Sequence, residues 1–280
     1  MTATHKTSST GRAASGTSGR LTLVRPDDRP RAQRPALVAV AHGSRDPRAL
    51  ETVRALLDRV RALRPGLPVH LGHIELNAPL LPGTLAGLDA RGTGSAVLVP
   101  LLLGRGYHVK RDIPELAATA RLRTRVAAPL GPHPLLVDTL YERLVEAGWN
   151  PHATAAERRT SAVVLAAAGS RDPESRRDTG RTAALLAARL DVPVLPAYAS
   201  AATPTVAEAV ATLTSQGRTK IALASCFTAP GRFARECATA APWLAAVPLG
   251  AHEKMAHLVL HRYDEALTTA ARTERERASA

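Results

Sequence analysis

Three residues that can bind a metal ion follow three successive apolar runs of this 280-residue chain. His42 comes directly after the first run, Glu75 ends the second, and His108 lies in the motif GRGYHVKRDIP after the third. Two imidazoles and a carboxylate form a mixed nitrogen and oxygen ligand set that suits a divalent first-row metal ion. A neutral imidazole also accepts a proton near pH 7. These three residues are therefore the predicted metal ligands and the predicted catalytic groups.

The elements that must position these residues alternate between short apolar runs and longer helical stretches. In the first half, the predicted strands are 36–41, 68–75, 95–103 and 124–129, and the predicted helices are 47–63, 79–89, 110–121 and 134–147. In the second half, the predicted strands are 161–167, 192–198, 219–226 and 244–248, and the predicted helices are 174–190, 204–216, 232–243 and 252–270. This alternation is typical of βαβ units on a parallel sheet. Ligands of such sheets bind outside the carboxyl ends of the strands, so the three candidate ligands are expected at one sheet edge.

An internal repeat is indicated by four landmarks that recur in the same order with nearly constant offsets. They are GSRDP at 43 and 169, Pro79 and Pro204, Gly106 and Gly231, and PLG at 129 and 248. The pattern predicts an α/β protein, a tandem duplication of a four-stranded parallel-sheet, flavodoxin-like three-layer domain. The predicted divisions are a disordered tail (1–34), a first domain with the metal site (35–148), a linker (149–160), a second domain (161–272) and a C-terminal tail (273–280).

The second repeat serves as an internal control for the three candidate ligands. The offsets place Ala168 opposite His42, Ser200 opposite Glu75, and Phe233 opposite His108. Singly, each candidate has an ordinary alternative as a capping or surface residue. A residue that the fold requires would be needed in both copies, but all three are missing from the second. This favours a function for the three residues and predicts a degenerate site in the second domain.

Composition narrows the class of protein and partner. The formal net charge is +13, which suits an acidic partner, but only 3% of residues are aromatic and no nucleic-acid-binding motif is found. A polyanionic small molecule fits the charge, and a general arginine bias of the surface is the alternative. No apolar run approaches the length of a membrane span, and the N-terminal segment lacks the apolar core of a secretory signal. The two cysteines have no metal-binding spacing, so we expect a cytoplasmic protein that binds neither membrane nor nucleic acid. The N-terminal segment is rich in Ser, Thr and Arg, and a transit peptide is its alternative interpretation.

The motifs AHGSRDP, ELNAP and PLLLGRGYHVKRDIP, in this order, resemble those of the sirohydrochlorin chelatases of the CbiX and SirB type, in the class II chelatase superfamily. The resemblance covers about residues 36–272. It implies a chelatase-like fold and ATP-independent insertion of a divalent metal into sirohydrochlorin. Iron, for siroheme, is the first choice, and cobalt, for cobalamin precursors, is the alternative. It also places the family's metal-site residues on His42, Glu75 and His108. The metal is then a substrate, no permanently bound cofactor is expected, and a duplicated chain is expected to act as a monomer.

Because sirohydrochlorin is a polycarboxylate, the resemblance also implies a basic cleft. The candidate substrate ligands are Arg45, Arg105, Lys110, Arg111 and the hydroxyl of Ser44, with Arg171, Arg232 and Arg235 in the second half. Solvated surface positions and, for Ser44, a turn-and-cap role are the alternatives. His73 is either a further ligand or a buried, hydrogen-bonded residue, and Asp112 either orients His108 or begins a helix. A non-catalytic metal or tetrapyrrole carrier is the alternative to an enzyme.

Overall fold

Each half of the chain forms a four-stranded parallel sheet with helices on both faces. The computed structural model describes residues 34–278, so the predicted disordered tail lies outside the described residues except for Arg34. The strands of the first repeat are β1 (Ala36–Ala41), β2 (Val69–His73), β3 (Ser95–Pro100) and β4 (Arg123–Val126), in the spatial order β2-β1-β3-β4. Those of the second are β5 (Ser161–Ala167), β6 (Val194–Tyr198), β7 (Lys220–Ser225) and β8 (Leu244–Ala245), in the order β6-β5-β7-β8. The predicted fold class and duplication are confirmed.

The helices follow the same repeat. The first half contains α1 (Pro47–Leu63), α2 (Leu81–Ala90), a π-helical turn (His108–Asp112), α3 (Ile113–Ala118) and α4 (Pro134–Glu146). The second contains α5 (Ala155–Thr160), α6 (Pro173–Leu190), α7 (Val206–Ser215), α8 (Arg232–Thr239) and α9 (Glu253–Ala278). Helices α1 and α6 begin alike, because Asp46 and Asp172 each cap the helix and a proline follows.

The two repeats share one hydrophobic core because their C-terminal helices are exchanged. Helix α4 of the first repeat packs on β7 and α6, and helix α9 of the second packs on β3 and α1. The Tyr263 hydroxyl of α9 donates a hydrogen bond of 2.6 Å to the Pro35 carbonyl, at the start of the first repeat. Odd-numbered residues of β1 and β5 face this shared core, whereas their even-numbered residues face smaller cores under α2 and α3 or α7 and α8. Neither repeat therefore buries its own apolar surface alone.

Several predicted elements end earlier than expected, among them the strands β3, β4 and β8 and helix α8, which ends at Thr239. Three further differences concern helices. The predicted linker contains α5, which Thr154 begins with a capping box to Glu157. The predicted C-terminal tail is helical as far as Ala278, because α9 continues past 272. The predicted helix 110–121 begins instead as a π-helical turn at His108 and ends at Ala118. The linker and the C-terminal segment lack a clear apolar period, so the sequence pattern gave no signal for a helix there.

Candidate active site

The three candidate ligands lie together at the carboxyl ends of β1, β2 and β3. His42 follows β1 directly, Glu75 lies two residues beyond β2, and His108 begins the π-helical turn after β3. The Glu75 amide donates a hydrogen bond of 3.0 Å to the His42 carbonyl, which ties the first two loops together. Gly43 makes this approach possible, since its φ is +105° and an added Cβ would lie 2.0 Å from the Glu75 carbonyl oxygen.

The side chains of His42, Glu75 and His108, the trio of candidate ligands, are neighbours and are open to solvent. His42 Nε2 lies 3.4 Å from Glu75 Oε1, and the His42 and His108 rings meet edge to face with centroids 4.6 Å apart. Their side chains are 38% exposed for each histidine and 54% for Glu75. Between residues 34 and 278, no three His, Cys, Asp or Glu side chains are already arranged as a metal cage. The trio is therefore an accessible cluster of potential ligands, and its role in metal binding stays a prediction.

Asp112 fixes the ring of His108. Its Oδ2 lies 2.5 Å from His108 Nδ1, and the two residues are the ends of the π-helical turn. The Asp112 side chain makes no capping hydrogen bond to α3, so the geometry favours the orienting role over a helix-start role. His73, in contrast, is buried and its Nδ1 lies 3.2 Å from the Pro79 carbonyl oxygen. Burial lowers the pKa of His73, which matches the expectation of a buried, hydrogen-bonded residue.

The trio faces a cavity of about 1160 Å³ between the two repeats. The second repeat supplies the other side of the cavity. Its apolar lining residues include Ala167, Ala168, Cys226, Phe227, Ala229, Pro230 and Phe233. Arg232 and Arg235 lie on this side, and the Arg232 guanidinium stacks 4.7 Å from the centroid of the Phe233 ring. The cavity thus carries the three candidate ligands on its first-repeat side and a group of apolar residues with two arginines on its second-repeat side.

The backbone of the second repeat reproduces the loops of the first without their ligands. The Ser200 amide donates to the Ala168 carbonyl at 3.0 Å, as Glu75 does to His42, and Gly169 has a φ of +92°. The amides of Lys110 and Arg235 both donate to the carbonyl four residues back, which aligns Phe233 with His108. The loops are therefore a requirement of the fold, but the three ligand candidates are not.

Two of the predicted substrate ligands are occupied by ion pairs between the repeats. Asp178 of α6 accepts hydrogen bonds from the Arg105 amide, Nε and Nη2 at 2.9, 3.0 and 2.7 Å. Lys110 Nζ lies 2.8 Å from Asp172 and also contacts Glu174, and these hydrogen bonds raise the pKa of Lys110. Both basic residues are predicted substrate ligands because they lie close to His108 in the sequence. Closeness in the sequence gives no information about carboxylates more than 60 residues away. Their binding to the substrate stays a prediction, and their described contacts join the repeats.

The other basic candidates divide by position. Arg45 lines the large cavity, whereas Arg111 is exposed and, like Arg171, lies outside the described residues that line it. The Ser44 hydroxyl accepts a hydrogen bond from the Asp46 amide, and the Ser44 amide donates to Asn77 Oδ1 at 2.6 Å. Sequence reasoning missed Asn77, which holds the first loop against the second. Its motif ELNAP signals a loop but not this contact.

Comparison with known proteins gives the family. A family model described as CbiX matches residues 36–147 and matches again at residues 162–266. The chain belongs to the CbiX family. Both CbiX repeats are thus matched separately, and together they cover most of the chain.

Curated relatives of this CbiX protein are named for two metals. The sirohydrochlorin cobaltochelatase of Methanococcoides burtonii is 28% identical over 123 residues, which are 39% of this chain and 94% of that protein. The sirohydrochlorin ferrochelatase of Bacillus subtilis is 31% identical over 180 residues, which are 62% of this chain and 66% of that protein. A structure described as SirB from Bacillus subtilis with Fe³⁺ has a TM-score of 0.69 at 24% identity and covers 85% of this chain and 98% of that one. The two-repeat CbiX fold is therefore shared with SirB.

A search of the helices between residues 34 and 278 for a membrane span finds none of sufficient length and apolar character.

Proposed function

We propose that this CbiX protein inserts ferrous iron into sirohydrochlorin without ATP. The observation that carries the proposal is the cluster of His42, Glu75 and His108 in the first repeat, which faces a cavity whose opposite wall lacks all three. A group of residues that the fold does not need, placed at the ligand-binding edge of a parallel sheet, is expected to serve chemistry. The names of the cobaltochelatase and ferrochelatase relatives supply the class of substrate.

The ligand set suits a metal that must be held and then released. Nitrogen and oxygen ligands bind Fe²⁺ or Co²⁺ less firmly than thiolates do, and three protein ligands leave coordination positions for ring nitrogens. The Nδ1 atom of His108 is engaged by Asp112, which leaves Nε2 as the nitrogen available to the ion. We expect rotamer changes of the partly exposed trio to bring its three side chains onto one ion.

Metal insertion also requires a route for protons. The ion enters as M²⁺ and the macrocycle gives up two pyrrole protons, so charge is conserved in the product. The imidazoles of His42 and His108 and the Glu75 carboxylate are the bases at the ring-facing edge of the first repeat. His42 Nε2 and Glu75 Oε1, 3.4 Å apart, are placed to pass a proton from the ring towards solvent.

The cavity suits the shape and charge of the substrate. Its volume of about 1160 Å³ exceeds the usual range for small-molecule sites, as a tetrapyrrole requires. The apolar wall around Phe227 and Phe233 can cover one face of the macrocycle, while the trio meets the other. Arg45, Arg232 and Arg235 are the lining arginines that would bind side-chain carboxylates. One chain supplies both walls, so we propose that it acts as a monomer in the cytoplasm; light scattering on the purified protein tests the monomer.

Cobalt is the second candidate metal, because the Methanococcoides burtonii relative is named a cobaltochelatase. First-row ions share this ligand chemistry, so metal supply decides between them as much as the site does.

The test is an anaerobic assay with sirohydrochlorin and either Fe²⁺ or Co²⁺, in which the change of the tetrapyrrole absorption spectrum is timed with and without protein. We expect the protein to accelerate insertion well above the spontaneous rate, with iron at least as fast as cobalt. Stoichiometric binding of tetrapyrrole or metal without acceleration would instead identify a carrier.

A further inference from the structure

A second cavity lies in the first repeat, between α1, α2 and the edge strand β2. Its volume is about 520 Å³, and it shares no lining residue with the large cavity between the repeats. Val69, His70 and Leu71 of β2 form its floor, and α1 and α2 form its sides. A cavity of this size matches a small ligand rather than a tetrapyrrole.

Three guanidinium groups surround this second cavity, from Arg54 and Arg61 on α1 and Arg91 at the end of α2. Arg61 is held in place, since Nη1 lies 2.7 Å from Asp58 Oδ1 and Nη2 donates to the Val69 carbonyl at 2.9 Å. Asp58 is the one carboxylate among the lining residues described. Within residues 34–278, neither Arg54 nor Arg91 forms an ion pair with a carboxylate. The cavity therefore keeps a net positive charge.

Glycines on α2 make room for this arrangement. An added Cβ at Gly87 would lie 3.4 Å from Arg91 Nη1, so the Arg91 guanidinium folds back over α2 at that position. Gly83, one turn earlier, faces open space. The positive potential extends to His70 on the floor: burial lowers the pKa of His70, and the charges of Arg91 and Arg61 lower it further.

The second repeat shows that the fold does not need these cations. Aligned by the repeat offsets, Arg54, Arg61 and Arg91 are replaced by Gly180, Ala187 and Gln216, His70 by Leu195, and Gly83 by Glu208. Glu208 belongs to the capping box of α7, so the second repeat carries a carboxylate where the first has open space. A general arginine bias of the chain would not by itself remove the arginine at all three aligned positions of the second repeat.

We propose that the second cavity binds a small oxyanion ligand with two or more negative charges on phosphate or carboxylate groups. The planar guanidinium fork donates paired hydrogen bonds to either group, and two unpaired arginines, one on α1 and one at the end of α2, on either side of the β2 edge, match a ligand with charges at both ends. The floor histidine contributes a ring nitrogen within the same space. This site is independent of sirohydrochlorin and of the trio.

The proposal is tested on the full-length protein with inorganic pyrophosphate and, separately, citrate, which distinguish a phosphate from a carboxylate ligand. Binding is followed by calorimetry and by the ring-proton NMR signal of His70, assigned through its loss in His70→Leu. We expect one or both anions to move this signal, and Arg91→Gln, the residue of the second repeat, to weaken binding by roughly tenfold or more. Arg59→Gln removes an equal charge from the exposed face of α1 and should change binding little.

Anion binding in the large cavity is separated by a second control. Arg232→Gln should leave the His70 response intact, because Arg232 lines only the larger space. The proposal is overturned if neither anion moves the His70 signal, or if Arg91→Gln binds as tightly as Arg59→Gln. Unchanged melting temperatures of the variants ensure that lost binding is not lost folding.

Discussion

The ion pair between Arg105 and Asp178 is predicted to hold the two repeats in register, and Asp178→Asn tests it. Asp178 lies on α6 of the second repeat with 3% of its side chain exposed, and it accepts three hydrogen bonds from Arg105 of the first. Asparagine keeps the shape of the side chain but removes the charge. It also leaves the amide, Nε and Nη2 donors of Arg105 to share one neutral oxygen.

The expected loss of stability lies between two limits. Breaking a buried ion pair by removing one partner costs about 3–5 kcal/mol, while an exposed pair contributes about 0–1 kcal/mol. Arg105 is 47% exposed, so water can solvate its guanidinium when the carboxylate is gone. We therefore expect a loss of about 2 kcal/mol in the free energy of unfolding. For a protein of this size, that lowers the melting temperature by about 3–4 °C.

The loss of stability at low pH provides a second measure of the contact between Arg105 and Asp178. Burial alone would raise the pKa of Asp178, but the hydrogen bonds and charge of Arg105 outweigh it, so the pKa lies below its ordinary value of 3.8. A carboxyl group whose pKa is lowered by folding contributes stability above its unfolded pKa, and this contribution is lost as the pH falls through the folded value. Asp178→Asn should therefore lose less stability than the parent between about pH 4 and pH 2.

Calorimetric melting of the parent, Asp178→Asn and Asp58→Asn tests whether the Arg105–Asp178 contact stabilises the protein. Asp58 pairs with Arg61 at 2.7 Å on the surface, where both side chains are largely exposed, so its variant should melt within about 2 °C of the parent. The stabilising role of Asp178 is contradicted if Asp178→Asn melts no lower than Asp58→Asn, since a buried contact between repeats would then contribute no more than a surface pair.

Three further substitutions test the site and its loops. Glu75→Gln should slow metal insertion by about 100-fold or more through loss of a base, and an unchanged initial rate would remove Glu75 from the mechanism. Asp112→Asn should weaken Co²⁺ binding by about 10–100-fold in an absorption titration because the His108 ring loses its orienting carboxylate; equal affinity would contradict that role. Gly169→Ala would place a Cβ 1.8 Å from a backbone carbonyl oxygen and should melt well below Gly180→Ala, whose Cβ meets nothing within 4 Å; equal melting temperatures would refute the steric argument.

The duplication and the trio could be predicted because both depend on patterns that short stretches of the sequence contain. Buried parallel strands are continuous apolar runs, and helix α1 shows its apolar positions at regular spacing. Once the strands are placed, the sheet edge rule brings His42, Glu75 and His108 together without knowledge of any contact. The alignment of the second repeat with the first followed from landmarks that the loops need in both copies, such as Gly43 and Gly169.

The exchange of α4 and α9 could not be predicted, because an amphipathic helix has the same pattern whichever sheet it covers. The carboxylate partners of Arg105 and Lys110 could not be predicted either, because a basic residue near a cleft binds a ligand or a neighbouring carboxylate with the same chemistry. The basic cavity beside β2 was missed for another reason. Its arginines come from two helices and its glycines carry no charge signal, so the cluster exists only after folding.

The central claim is that the histidines of the first repeat carry metal insertion, and the initial rates of His42→Ala and His108→Ala with sirohydrochlorin and Fe²⁺ test it most directly. His257→Ala is the matched control, because this exposed histidine of α9 lies far along the chain from the trio and outside the residues lining the cavity. We predict that both site variants fall to within about tenfold of the spontaneous rate while the control keeps the parent rate. If either site variant inserts iron as fast as His257→Ala, that histidine does not carry the reaction.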